Sequence, residues 1–310
     1  MLRNKSITPN ERIISGIIYN GQSLSIDREQ CISQELQRWL ERSGQKGFRA
    51  LAYIKNFCDG NDNQSNKQSC LNDTNGKLHY INDSSTCRNQ ISYVEKNSEN
   101  ILISCYNQAS ADNDETIPIY SYQNSLSGTY YSMTVNNRIP ATNSMMRDRS
   151  FTAWLDQNKP NIIEKSNSTG AEFLFLWMVK NIAECDGCLI DGIRQGLSSL
   201  TIHNIGGQLS FLFTDGNGIY AYSGKGHSTE KKHRILYKVI RYDYNKYSYI
   251  LSNQHQADDL DWICIPENWI YYFPVRGCIQ QFPLTWRKEE VQIRPNRFLK
   301  WAYQLSEICY

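Results

Sequence analysis

Residues 209–222 read LSFLFTDGNGIYAY. Two runs rich in aromatic and aliphatic side chains, QLSFLFTD at 208–215 and IYAYSG at 219–224, flank Gly216-Asn217-Gly218. Asp-Gly and Asn-Gly pairs tolerate the positive φ of tight hairpin turns, so the stretch predicts two antiparallel strands. Just upstream, residues 171–184 (AEFLFLWMVKNIAE) form a strongly apolar helix candidate, with Glu172 near its start to complement the helix dipole. Residues 197–207 (LSSLTIHNIGG) predict a second helix end, stopped at Gly206-Gly207. Downstream, 235–243, 248–253 and 269–277 have strand composition.

Further upstream, residues 11–20 (ERIISGIIYN) read as an apolar strand interrupted by Ser15-Gly16. Residues 27–43 place Ile32, Leu36, Trp39 and Leu40 at helical spacing, and 49–57 return to strand composition. From Cys58 to about Gln90, Asn, Asp, Ser and Gln dominate. Such a stretch buries too little surface to order itself and predicts a long polar insertion. The apolar runs 91–96, 100–107 and 117–122 follow, and 129–141 (TYYSMTVNNRIPA) predicts a strand ending in an Asn-Asn turn. Strands, two helices and more strands imply an α+β layered domain rather than alternating βαβ units. No repeat of 20–50 residues is visible.

Composition narrows the function. The 310 residues are 40% hydrophobic and 21% charged, enough for a sizeable core. Thirty-three Lys and Arg against thirty-one Asp and Glu leave a net charge of +2, which argues against a dedicated nucleic-acid binder. No run approaches the ~18 apolar residues of a membrane span, and the N-terminus lacks a signal-type apolar core. A cytoplasmic protein is the expectation, and the ten scattered cysteines then read as free thiols.

Familiar catalytic signatures are missing: GxxxxGK[ST], GxGxxG after a strand, HExxH and GxSxG do not occur. The five histidines are scattered, giving a Ser-His-Asp site no support. Cys185-Asp186-Gly187-Cys188 lacks the second pair of a zinc knuckle and reads as ordinary thiols at a helix end. Asp258, Asp259 and Asp261 read as a solvated loop rather than a cation site, and the 20 tyrosines as cross-strand packing. No metal and no cofactor is expected.

Several short segments together resemble one family in their order. Ser15-Gly16-Ile17-Ile18-Tyr19 is similar to the Cys-Gly-Ile opening of class II glutamine amidotransferases. Residues 36–44 (LQRWLERSG) resemble that family's first helix and turn, and 103–110 (ISCYNQAS) its Gly-His-Thr-Arg-Trp-Ala-Thr strand. Val135-Asn136-Asn137-Arg138-Ile139 resembles its His-Asn-Gly segment, and Thr169-Gly170-Ala171-Glu172 its Thr-Asp-Ser-Glu helix start. Residues 209–222, 248–253 and 262–270 resemble its closing strands. The resemblance is collinear over about residues 12–275 and implies a four-layer αββα sandwich of two mainly antiparallel sheets, the N-terminal nucleophile fold. It divides the chain into an extension at 1–14, a domain at 15–275 with the insertion at 58–90, and a tail at 276–310.

In that family an N-terminal cysteine attacks the glutamine amide with its own α-amine as base. An Asn side chain and a Gly N–H hold the oxyanion, an Arg clamps the substrate carboxylate, and an Asp receives its ammonium. Carried over by position, the nucleophile becomes Ser15, behind fourteen residues. The oxyanion pair becomes Asn136 and Asn137. The substrate-binding Arg and Trp become Asn107 and Gln108, and the Asp becomes Gly170. Charge-assisted contacts are worth roughly 1.5–3 kcal/mol each, so losing both costs glutamine binding ~3–6 kcal/mol. On the residues alone, Ser15 is also a small residue where a strand leaves the sheet, and Asn136-Asn137 an ordinary turn.

The resemblance implies a diverged domain that no longer hydrolyses glutamine. It would act as partner or scaffold to a separate synthase or acceptor-domain protein, or in a homo-oligomer. A second reading is an active amidohydrolase on another amide-containing small molecule, with Ser15 exposed by removal of residues 1–14. A third is an unrelated binding module.

Overall fold

The computed structural model describes residues 12–20, 49–54, 77–81, 100–106, 119–123, 129–136, 145, 147–158, 170–202, 209–224, 234–243, 246–253, 261–275 and 277–284. In chain order the first strands are β1 (Arg12–Asn20), β2 (Arg49–Ile54), β3 (Lys77–Ile81), β4 (Asn100–Tyr106), β5 (Ile119–Gln123) and β6 (Tyr130–Val135). Three helices follow, α1 (Arg149–Asn158), α2 (Gly170–Glu184) and α3 (Leu189–Ile202). Then come β7 (Ser210–Thr214), β8 (Gly218–Ser223), β9 (Leu236–Asp243), β10 (Lys246–Ser252), β11 (Ile263–Cys264), β12 (Trp269–Pro274) and β13 (Gln280–Pro283).

The strands form two sheets of order β11-β9-β10-β1-β4-β2-β3 and β13-β12-β8-β7-β6-β5. Every pairing is antiparallel. The pleat turns alternate residues to opposite faces, and the hydrophobic clusters follow that parity. Ile14 and Ile18 of β1, with Tyr249 and Leu251 of β10, pack against Leu212, Ile219, Ala221 and Phe273 of the second sheet. This is the core between the sheets. The opposite face of the second sheet, with Met133, Val135, Phe211 and Phe213, packs against Leu174, Phe175 and Met178 of α2. The fold is therefore α+β, with helices, sheet and sheet in successive layers. The helix expected over 27–43 lies outside the described residues.

α2 is buried at eleven of its fifteen positions, which explains why its sequence is apolar all round rather than along one stripe. α3 lies against it along Gly192 and Gly196, and the Trp177 indole N–H donates to the Gly196 carbonyl at 3.2 Å. α1 starts at Asp148, whose Oδ1 accepts the N–H groups of Ser150 (2.8 Å) and Phe151 (3.0 Å), an N-cap. The Ser150 hydrogen bond, with those backbone groups, holds the Asp148 carboxyl below its ordinary range.

Three described elements cross the expected bounds. The insertion expected over 58–90 contains β3, because KLHYI restores an apolar alternation that pairs with β2; the rest of it lies outside the described residues. β1 begins at Arg12, ahead of the expected boundary at 15. The second sheet continues past residue 275, through β13 on β12. Among the described residues no helix is long and apolar enough to cross a membrane, and no group of three or more His, Cys, Asp or Glu could hold a metal ion.

Burial of phenols makes the fold sensitive to alkali. Burial pushes Tyr222, whose O–H donates to Asn268 Oδ1 at 3.3 Å, up to about 12. Burial, with Asp215 second, pushes Tyr272 to about 12 as well. The unfolded chain releases these protons near pH 10 and the native chain does not, so this contribution is intact below about pH 10 and is lost as pH rises toward 12. Tyr222 alone contributes on the order of 2–3 kcal/mol. Urea unfolding at pH 9 and pH 11.5 should show that loss, and Tyr222→Phe should reduce it by Tyr222's share while leaving that of Tyr272.

Candidate functional site

Ser15 is the fourth residue of β1, a central strand paired on both sides. It stands opposite Ser252 of β10 and Ile103 of β4. The ladder with β4 continues upstream through Ile14, Ile13 and Arg12. The peptide ahead of Ser15 is clamped further: Ile14 N–H donates to Asn253 Oδ1 at 3.0 Å, and the Asn253 N–H donates to Ile14 O at 3.3 Å. The Ser15 nitrogen is thus a peptide nitrogen inside a sheet, with no basicity to activate the hydroxyl.

Ser15 is 2% exposed and its Oγ has no hydrogen-bond partner. Ile14 and Ile18 face the second sheet, so the pleat directs Ser15 to the opposite face of β1. Ser248 and Ser252 share that face through their pairings with Tyr19 and Ser15, and Ser248 Oγ is likewise buried without a partner.

Asn136 closes β6. Its N–H donates to Ser210 O, and its Oδ1 accepts the Ser210 N–H, both at 3.0 Å. The side-chain amide is therefore locked onto the ladder. It is 1% exposed, and Nδ2 has no partner. A fixed, unpartnered donor of this kind is what an oxyanion requires.

Ser15 and Asn136 lie at the same end of the sandwich. Ser15 pairs with Ser252, and Ser252 with Leu236 at the start of β9. The neighbouring Ile235 N–H donates to Ser223 Oγ at 2.9 Å across the gap between the sheets. Ser223 pairs with Ser210, the partner of Asn136. The two residues share an end, but Ser15 is turned away from the second sheet, whereas the Asn136 amide is held along that sheet by the Ser210 N–H just past the end of β6. A nucleophile and an oxyanion donor must both reach one carbonyl within about 3 Å. Stacked sheets stand ~10 Å apart, and this pair straddles one of them.

Gly170 is the buried first residue of α2. β4 ends at Tyr106, opposite Arg12, and Asn107, Gln108 and Asn137 lie outside the described residues. Arg234, next to Ile235, is at the end that Ser15 and Asn136 share and pairs with Glu267 at 2.6 Å. The two charges satisfy each other, two strands across from β1. Sequence reading missed Asn253 and Ser248; the alternation in SYILSN could have placed Ser248 and Ser252 on one face, but nothing local marks the Asn253 clamp.

No family model and no curated protein matches the chain. Solved structures do match. One is the glutamine phosphoribosylpyrophosphate amidotransferase from B. subtilis complexed with ADP and GMP, at 14% identity and TM-score 0.51, covering 88% of this chain and 49% of that one. Another is the allosteric regulatory enzyme of purine biosynthesis, at 12% identity and TM-score 0.53, with 88% and 49% coverage. The chain spans about half the length of these two proteins. At such identities the likeness is one of fold, the two-sheet α+β fold of N-terminal nucleophile amidotransferases.

Proposed function

We propose that this chain is a diverged class II glutamine amidotransferase-like domain without glutaminase activity, serving as partner or scaffold subunit to a synthase or acceptor-domain protein. The observation that carries the reading is the place of Ser15 inside β1, with Arg12–Ile14 paired ahead of it. A serine there has no α-amine, and its hydroxyl is turned away from the second sheet, which carries Asn136. The exchanges of Arg and Asp for Asn107 and Gly170 leave free glutamine's charges without partners, and Arg234 and Glu267 are engaged with each other. The domain works without a cofactor and in the cytoplasm.

The competing amidohydrolase reading draws on the unpartnered Ser15 Oγ and Asn136 Nδ2. It requires scission between Ile14 and Ser15, within the paired strand. The two-sheet fold weighs against an unrelated binding module. Intact mass of the cell-purified protein should show a chain retaining Arg12–Ile14, and the protein should release no ammonia from glutamine. Ser15→Ala should leave stability unchanged or raise it by up to about 1 kcal/mol, because it deletes a buried hydroxyl that bonds to nothing. A chain starting at Ser15, with an amidase activity that vanishes in Ser15→Ala, would establish the hydrolase instead.

A further inference from the structure

α2 and α3 form a hairpin whose turn is Cys185-Asp186-Gly187-Cys188. The Cys188 N–H donates to Cys185 O at 2.9 Å, closing a four-residue turn, and Gly187 N–H donates to Ile182 O at 2.9 Å. Asp186 (φ 53°) and Gly187 (φ 81°) are both left-handed, which sets the turn's shape. A turn of this kind brings its end Cα atoms within about 7 Å, and disulfides span roughly 4.4–6.8 Å.

The side chains converge as well. Cys185 Sγ donates to Gln195 Oε1 at 3.3 Å, and Cys188 Sγ to Asp191 Oδ2 at 3.2 Å. Asp191 and Gln195 are i and i+4 on α3, neighbours on one stripe of the helix, so both sulfurs lie over the same stripe. Close packing of α3 on α2 at Gly192 holds the base of the hairpin. Neither thiol is bridged; Cys188 is exposed and Cys185 half-buried.

We propose that Cys185 and Cys188 are a redox-modified site that forms a reversible intramolecular disulfide with a low-molecular-weight disulfide, such as glutathione disulfide, as oxidant. The exposed Cys188 thiolate attacks one sulfur of the oxidant and forms a mixed disulfide; the expelled thiolate takes up a proton. Cys185 thiolate then attacks Cys188 Sγ, the new S–S bond forms, and the second small thiol leaves with the other proton. The pair loses two electrons and the oxidant gains them. Burial first, then the Asp191 carboxylate, pushes the Cys185 thiol up, which disfavours its thiolate and suits it to the resolving rather than the attacking role. Bridging withdraws both S–H donors from Gln195 and Asp191.

The full chain, equilibrated in glutathione and glutathione disulfide mixtures, alkylated and digested with trypsin, tests this. The peptide between Lys180 and Arg194 contains these two cysteines and no other. It should lose two hydrogens and escape alkylation under oxidising ratios, then recover both alkyl groups on reduction. Resolution within a four-residue turn is favoured by an effective concentration on the order of millimolar or more, so Cys185→Ser should accumulate about tenfold more glutathionyl-Cys188 than the native chain. Serine keeps a hydroxyl donor in the same turn, so the variant should fold. Alkylation of both thiols at every ratio would overturn the proposal. So would bridging of either thiol to Cys264 or Cys278, or equal mixed disulfide with and without Cys185.

Discussion

Gly192→Val should lower the stability of this protein by about 3 kcal/mol, whereas Gly196→Ala, one helical turn further along, should cost less than about 1 kcal/mol. A Cβ at Gly192 would run into Ile182 Cα and stand 2.6 Å from the Ile182 nitrogen, both backbone atoms. Backbone yields only if a helix moves, and α2 has little room, with the second sheet under it and eleven of its fifteen residues buried. At Gly196 the near atom is Met178 Sδ at 2.7 Å, the flexible part of a side chain, which can swing aside. Helix propensity favours alanine over glycine by about 1 kcal/mol, enough to offset a soft contact and too little to offset a backbone collision. Urea unfolding of both variants, followed by circular dichroism, separates them. Equal losses, or a native-like Gly192→Val, would mean that α3 does not sit this close to α2.

Much of this architecture is legible in local sequence. The hairpin at 209–222, the apolar run at 171–184 and the strands from 235 onward carry their signals within ten residues or so, and they become β7, β8, α2, β9, β10 and β12. What escapes is what local pattern dilutes. α1 shows Phe151, Trp154 and Leu155 at helical spacing behind the Asp148 cap, yet it is a single short stretch among polar residues. β3 is five residues within a run of Asn, Asp and Ser, and β11 is two residues, too short for any period. The site is harder still. Ser15 is marked by resemblance, but residues 11–20 read as a strand interrupted at Ser15-Gly16, whereas β1 runs through both residues and is paired on each side. The clamp from Asn253 to Ile14 joins positions 239 apart in the chain. Such a pairing is a product of sheet order, which no window of sequence contains.

Asn136→Asp should be the most damaging single-atom change at the candidate site, with an expected loss of about 3–5 kcal/mol at pH 7. The substitution keeps an oxygen for the Ser210 N–H, so the anchoring bond at 3.0 Å survives. It replaces Nδ2, a donor without a partner, by a carboxylate oxygen in the same buried place. One backbone N–H compensates a buried negative charge poorly, so the folded carboxyl must sit well above the ordinary value of ~3.9. The sign follows. The native state then holds a proton that the unfolded chain has released, so the penalty grows as pH rises from about 4 and is complete above the folded value. Acidification toward pH 4 should therefore bring the variant back toward native stability. Asn136→Ala, which deletes the acceptor for Ser210, should lose ~1–3 kcal/mol with no such pH dependence. The contrast decides what surrounds Nδ2. If water or a substrate hollow reaches it, the aspartate is solvated, the loss at pH 7 falls below about 1 kcal/mol, and the amidohydrolase reading gains. A full, pH-dependent loss means a dry amide holding β6 to β7, which is the outcome that the proposal of a domain without glutaminase activity expects.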